Sequence, residues 1–232
     1  MVFFLFVNIL YIMKTKVMIF IMTVMMLLSC VYMVNASLLN YNLDGYIIYV
    51  DAGHGGKDNG ADNQDVLEDS INLSISKLLV KGLIDKGAYV YTSRDGDYDL
   101  ASNYDKNRKA KDLKKRVELI NSIKPDLFIS IHLNTYPDID VKGGQIFFQN
   151  NDESESFASI LQNEFNMLSK ENKKPKLGDY YLLNKTNSVG VIIECGFLTN
   201  PMELKKLVKE EYQKQISQVI IESIYKYFKL MV

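Results

Sequence analysis

A chain of 232 residues that is 47% apolar and 24% charged, with a formal net charge of −1, is long and apolar enough to bury a substantial core. That balance excludes a disordered chain, and it supplies no basic field of the kind that draws a protein to nucleic acid or an anionic surface. No internal repeat, low-complexity tract or Pro/Ser-rich linker divides the sequence.

The first 36 residues read as a leader, either a signal peptide or an N-terminal membrane anchor, and residues 37–232 as one folded domain. Lys14-Thr15-Lys16 precedes an apolar run from Val17 to Val34, the order of a positive n-region and a hydrophobic h-region. "VNA" at 34–36 is an acceptable cleavage signal, yet the run is also long enough to span a bilayer. Met13 offers an alternative start, and "LLSC" ending at Cys30 a lipidation site that Leu28 and the following apolar stretch fit poorly. Once the leader is removed, Cys195 is the only cysteine, so the exported chain carries no internal disulfide and depends on its core.

Behind the leader, short β-branched or aromatic runs predict strands over 46–50, 88–93, 127–133, 144–149, 180–183 and 189–195. Helical spacing links Ile71, Ile75, Leu78, Leu79 and Leu83, then Leu113, Val117 and Ile120. It continues through Phe157, Ile160, Leu161 and Phe165, and through Ile216, Val219, Ile220 and Tyr227. Lys124, which precedes Pro125, should end the second of these helices by leaving the α region. The alternation predicts an α/β fold of three layers, a mostly parallel sheet of about six strands with helices on both faces.

Ligands of such a sheet collect at the carboxyl ends of its strands. The chain has only two histidines: His54 follows the first strand in "VDAGHGG", and His132 ends the third in "DLFISIHLN". Glu194 ends the last strand, within the otherwise apolar "VGVIIEC", where an unpaired charge is costly. Glu68 joins them if the loop "KDNGADNQDVLEDS" folds back over that edge. Two imidazoles and two carboxylates make a metal site with a spare base, and one Zn2+ per chain is the best match, because three N/O ligands leave a position open for water. The bland alternatives are a hydrogen-bonded histidine at each strand end, and Glu68 acting as a helix N-terminal acid like Asp69. The glycines at 53, 55 and 56 serve as turn residues, since no Lys-Ser/Thr at a following helix supports a phosphate loop.

The fragments "VDAGHGGKDNGA", "LEDSINL", "TSRD", "DLFISIHLN" and "VIIECGFLTNP", in that order, resemble the zinc-dependent N-acetylmuramoyl-L-alanine amidases of type 3 across about residues 45–230. Within that family, the long segment after the second strand and the lack of an accessory domain resemble the germination-specific, spore-cortex members of endospore formers. The resemblance implies His54, Glu68 and His132 as zinc ligands and Glu194 as the catalytic carboxylate. It also implies peptidoglycan as substrate, cleaved between N-acetylmuramic acid and the L-alanine of the stem peptide, as the first step towards muramic δ-lactam. The implied location is outside the cytoplasm, at the cell wall or between the forespore membranes, with membrane contact only through the leader. A docking exported protein that activates or recruits the enzyme is a further expectation.

Asn134, two residues beyond His132, is a candidate substrate donor or a turn former. Arg94 is expected to hold a loop by pairing with an acid, and "NKKPK" at 172–176 to be a solvated loop or a contact for an acidic stem peptide. Ala52 stands where many relatives have proline, and "LEDS" departs from the family's Glu-Lys-Asp, so that Asp69 competes with Glu68 if the register slips. The rival readings are another zinc peptidase such as a carboxypeptidase, a non-catalytic wall-binding or assembly factor on the same fold, and a membrane-held structural protein.

Overall fold

A computed structural model describes residues 13–29, 42–63, 65–102 and 104–231. The chain divides into two compact units, Met1–Tyr41 and Asn42–Val232. In the first, residues 13–29 are helical (α1). No helix among the described residues is long and apolar enough to cross a membrane. Cys30 and the 34–36 cleavage signal lie outside the described residues.

The second unit contains β1 (Ile47–Ala52), β2 (Asp62–Asn63), β3 (Val66–Leu67), α2 (Glu68–Ile84), β4 (Tyr89–Thr92), α3 (Arg108–Ile123) and β5 (Leu127–Asn134). It continues with β6 (Gln145–Phe148), α4 (Asp152–Ser169), β7 (Lys176–Leu177), α5 (Tyr181–Lys185), β8 (Gly190–Phe197), α6 (Pro201–Leu207) and α7 (Glu210–Met231). The six-stranded sheet runs β4-β1-β5-β8-β6-β7. Every neighbouring pair is parallel except β6 with β8, which is antiparallel.

The apolar runs become the centre of this sheet because helices cover both faces. Ile71, Ile75, Leu79 and Leu83 of α2 are buried, as are Phe157, Leu161 and Phe165 of α4 and Ile216, Ile220 and Tyr227 of α7, and these three helices pack together. Opposite them, Val117 and Ile120 of α3 and Leu182 and Leu183 of α5 close over Tyr49, Phe128 and Ile192. The predicted three-layer α/β fold is therefore the observed one.

The structure corrects three details. Residues 180–183 do not form a strand: Leu182 and Leu183 turn inward together on the short helix α5, whose Leu182 carbonyl accepts from the Thr186 N–H at 3.2 Å. The sixth strand is instead Lys176–Leu177, exposed and lysine-bearing, with no apolar pattern to announce it. Lys124 does end α3, but in the left-handed region (φ 53°) rather than in an extended one, because its N–H caps the Ile120 carbonyl at 2.9 Å.

Across the β5–β8 pair a glycine faces an aromatic ring. Gly190 pairs with Phe128 in register, and a Cβ at residue 190 would sit 1.7 Å from Phe128 Cε1. Gly190→Ala is expected to destabilise the protein by about 1–3 kcal/mol, as overpacking of a buried ring does. Urea denaturation measures this, and an unchanged midpoint would contradict the contact.

Candidate metal centre and active site

The turn after β1 is built to present His54. His54 sits at φ 61°, a left-handed conformation that costs a non-glycine residue on the order of 1 kcal/mol, so its surroundings must impose it. Gly53 N–H donates to the Ile131 carbonyl at 3.0 Å, and Gly55 N–H to the Asp58 carbonyl at 2.9 Å. From α3, Arg116 donates through Nη2 to the His54 carbonyl at 2.7 Å. Asp58 Oδ2 lies 2.9 Å from His54 Nδ1, so this nitrogen carries the donated proton, and Nε2 faces Glu68 Oε1 at 3.3 Å.

Glu68 opens α2, and the β2–β3 hairpin carries it to the same edge. The Glu68 N–H donates to the Ala61 carbonyl at 2.9 Å, and Asn63 Nδ2 ties the hairpin to the Leu198 carbonyl at 2.6 Å. The Glu68 carboxylate is 3% exposed and fully oriented. Oε2 accepts the Ala61 N–H at 2.9 Å, while Oε1 accepts the Leu133 N–H at 3.1 Å and Asn72 Nδ2 at 3.2 Å. His132 Nδ1, from β5, lies 3.0 Å from the same Oε1. One donor atom from each of His54, Glu68 and His132 lies within 4.8 Å of the other two, so this group could hold a metal ion. Two glycines make room for it. A Cβ at Gly53 would fall 2.3 Å from the His132 ring, and one at Gly60 would fall 2.4 Å from Glu68 Oε2.

Glu194 pairs with His132 in register across β5 and β8, and lines the same cavity of about 300 Å³. Among the described residues, its Oε2 has no hydrogen-bond partner. Burial pushes its carboxyl pKa up, and the His132 charge only partly offsets this. Glu68 behaves oppositely: burial acts upward there too, but hydrogen bonds from His132 and His54 hold its carboxyl well below the usual range. Burial pulls His54 down, yet the bonds and charges of Glu68 and Asp58 raise it to about 9.

The four polar residues expected at the sheet edge thus meet in one cavity. Asp69 does not compete: its side-chain Oδ1 accepts from Ser70 Oγ at 3.4 Å, and its carbonyl from Arg94 Nη2 at 2.7 Å. Asn134 falls outside the cavity, since the β5–β8 register shifts between His132 and Asn134, and it lines a neighbouring groove. Arg94 has the expected structural role through carbonyls rather than an acid, donating to Ala52 at 3.0 Å, Gly53 at 2.9 Å and Gly96 at 3.0 Å as well as to Asp69.

Sequence reading missed the group beneath the site. Arg116, 2% exposed, binds Asp51 and donates to Asp112 Oδ2 at 2.7 Å and to the Ala52 carbonyl at 2.8 Å. Ser130 Oγ donates to the other oxygen of Asp51 at 2.6 Å. Asp51, in β1, is thus a support beneath the turn that carries His54. The signal was present: Arg116 lies three residues after Leu113 and beside Val117, a charge on the apolar stripe of α3 that has to find a partner.

A three-layer α/β fold whose sheet edge gathers a His-Glu-His group that could hold a metal ion, beside a buried carboxylate, has the layout of a hydrolase site. A family profile described as N-acetylmuramoyl-L-alanine amidase matches residues 48–226, and the chain belongs to that family. It is 38% identical over 192 residues to the germination-specific N-acetylmuramoyl-L-alanine amidase of Bacillus subtilis (strain 168), covering 80% of this chain and 81% of that relative. The CwlD amidase from Clostridioides difficile, solved in complex with the GerS lipoprotein, superposes with a TM-score of 0.78 at 33% identity, over 80% of this chain and 100% of that one. An N-acetylmuramoyl-L-alanine amidase from Clostridium difficile 630 superposes with a TM-score of 0.72 at 28% identity, over 80% of this chain and 98% of that one.

Arg116→Met removes the charge that Asp51 and Asp112 are buried against. A loss of about 3–5 kcal/mol in denaturant-derived stability is expected, whereas Lys114→Met on the solvent side of α3 stays within about 0.5 kcal/mol. Equal stability of the two variants would remove Arg116 from its supporting role.

Proposed function

We propose that the chain is a zinc-dependent hydrolase that cleaves the amide between N-acetylmuramic acid and the L-alanine of the stem peptide in peptidoglycan. His54 Nε2, the Glu68 carboxylate and His132 Nδ1 would hold one Zn2+ per chain. The residues fit that ion: two imidazoles and a carboxylate converge, Asp58 fixes the tautomer of His54, and three ligands leave a position for water. The observation that carries the catalytic reading is Glu194 Oε2, a buried carboxylate oxygen with no partner, beside that group.

When bound, zinc supplies Lewis-acid polarisation of water and of the scissile carbonyl. Glu194 accepts a proton from the attacking water as the water oxygen bonds to the carbonyl carbon. The same carboxyl returns the proton to the L-alanine nitrogen as the C–N bond breaks, so that the amine leaves neutral. The raised pKa of Glu194 suits both steps, because a carboxyl that protonates readily also accepts the proton it must later donate. Tyr180 and Leu182 line the same cavity as Glu194.

The likeness to the germination-specific relative supports spore cortex as the peptidoglycan acted on, with the cleavage as the first step towards muramic δ-lactam. The neighbour solved with a lipoprotein supports an exported partner that docks on this chain, and with it an extracytoplasmic location.

Purified protein incubated with cortex muropeptides, with and without zinc, and product analysis by mass spectrometry tests the reaction. Release of free stem peptide is expected, and loss of a terminal amino acid instead would indicate a carboxypeptidase. Glu194→Gln should keep its zinc and lose roughly 10²–10⁴-fold in kcat, the range of a general base. Glu68→Gln, His54→Ala and His132→Ala should each weaken zinc binding by about tenfold or more, together with activity. Zinc per chain by elemental analysis separates the roles, and zinc lost in Glu194→Gln but kept in Glu68→Gln would reverse them.

A further inference from the structure

Beside the catalytic cavity lies a groove of about 570 Å³ across β6 and β7, which includes Asn134. The two share borders. Gln145 of the groove opposes Glu194 across the antiparallel β6–β8 pair, which brings their Cβ atoms to about 5 Å. Phe147 of the groove packs against Tyr180 of the cavity, with ring centroids 5.2 Å apart.

Lys173, Lys174 and Lys176 line the groove, and no carboxylate does among the described residues. Their backbone is held in place. Asn166 of α4 donates to the Lys173 carbonyl at 2.8 Å and accepts its N–H at 3.0 Å, Gln145 Nε2 donates to the Lys174 carbonyl at 2.8 Å, and Lys176 pairs with Phe147 in register. Lys173 is itself committed, donating to the Gly143 carbonyl at 2.6 Å with its ammonium 4.5 Å from the centre of the Phe197 ring. Lys174 and Lys176 are exposed, and neither forms a side-chain hydrogen bond or ion pair among the described residues. Glu203 and Glu171 act on Lys173 from behind the groove, but a segment pinned from two elements, presenting two uncommitted ammonium groups over a groove with no acid in its lining, has the makings of an anion site.

We propose that this groove receives a carboxylate of the stem peptide, and that Lys174 and Lys176 set a preference for the free acid over its amide. The inference rests on the amidase reading. β7 lies two strands from β8, about 10 Å at the usual strand spacing, and an extended peptide covers that in about three residues. The carboxylate is therefore carried two or three residues beyond the scissile bond. Lys174 and Lys176 touch no reacting atom, so they act on binding and leave the chemical step alone.

The test uses two muropeptides of one sequence, with side-chain and terminal carboxyls free in one and amidated in the other. Each is offered to the zinc-loaded protein and to K174Q/K176Q, with cleavage rates and calorimetric binding both recorded. The unchanged protein should show a KM lower on the order of tenfold for the free acid, as two part-exposed ion pairs allow, with kcat alike for the two peptides. In K174Q/K176Q the KM difference should shrink to about twofold, with zinc content and kcat unchanged. Cleavage with the same KM ratio in both proteins overturns the groove assignment and leaves the amidase reading intact. Lysine-dependent preference in binding without cleavage of either peptide keeps the groove and overturns the amidase reading.

Discussion

Arg116 is the interaction on which the rest of the site depends. A guanidinium that is 2% exposed carries a large desolvation cost, offset only because Asp51 and Asp112 face it and two carbonyls accept two more of its protons. One of those carbonyls belongs to His54. The arginine thus couples α3, β1 and the ligand-bearing turn in a single group, and it helps hold His54 in a conformation that the residue would not adopt alone. Asp112 extends the coupling by accepting the Leu100 N–H at 2.8 Å, which anchors the long segment between β4 and α3.

Above this base, the two carboxylates of the cavity are driven apart by their surroundings. Glu68 is surrounded by donors, from the backbone of a loop and of β5, from Asn72 and from both imidazoles, and it stays ionised. Glu194 is almost as well buried, but among the described residues its Oε2 has no donor, and burial raises its carboxyl pKa. Carboxyls separated in this way suit different tasks, and in the proposed reaction Glu68 is the fixed ligand and Glu194 the group that exchanges a proton. Both are glutamates, so residue type does not separate them and the hydrogen-bond environment does.

The sheet order explains why the cavity has a long neighbour. β5 and β8 are parallel and end together, which sets His132 opposite Glu194. β6 then runs the other way, so that its first residue, Gln145, stands beside the last turn of the site. A reversed strand at this point brings the 173–176 segment, far from either histidine in sequence, alongside the catalytic edge.

Several features were legible from the residues alone because each rests on local pattern or on scarcity. Continuous apolar runs between amphipathic helices define a covered, mostly parallel sheet, and two histidines with a glutamate at strand ends have to converge once that sheet forms. The tertiary structure decided whatever depended on partners distant in the chain. Glu68 rather than Asp69 joins the histidines because the 62–67 hairpin sets the start of α2. Asn134 leaves the cavity because a register shift follows His132. Lys176–Leu177 becomes a strand only because β6 offers it an edge, and "YYLL" becomes a helix because two adjacent leucines are buried on one side, which a strand forbids. Arg116 shows the division within one residue: its place on an apolar stripe announced that a partner was needed, and only the packing of α3 against β1 supplied Asp51, 65 positions away.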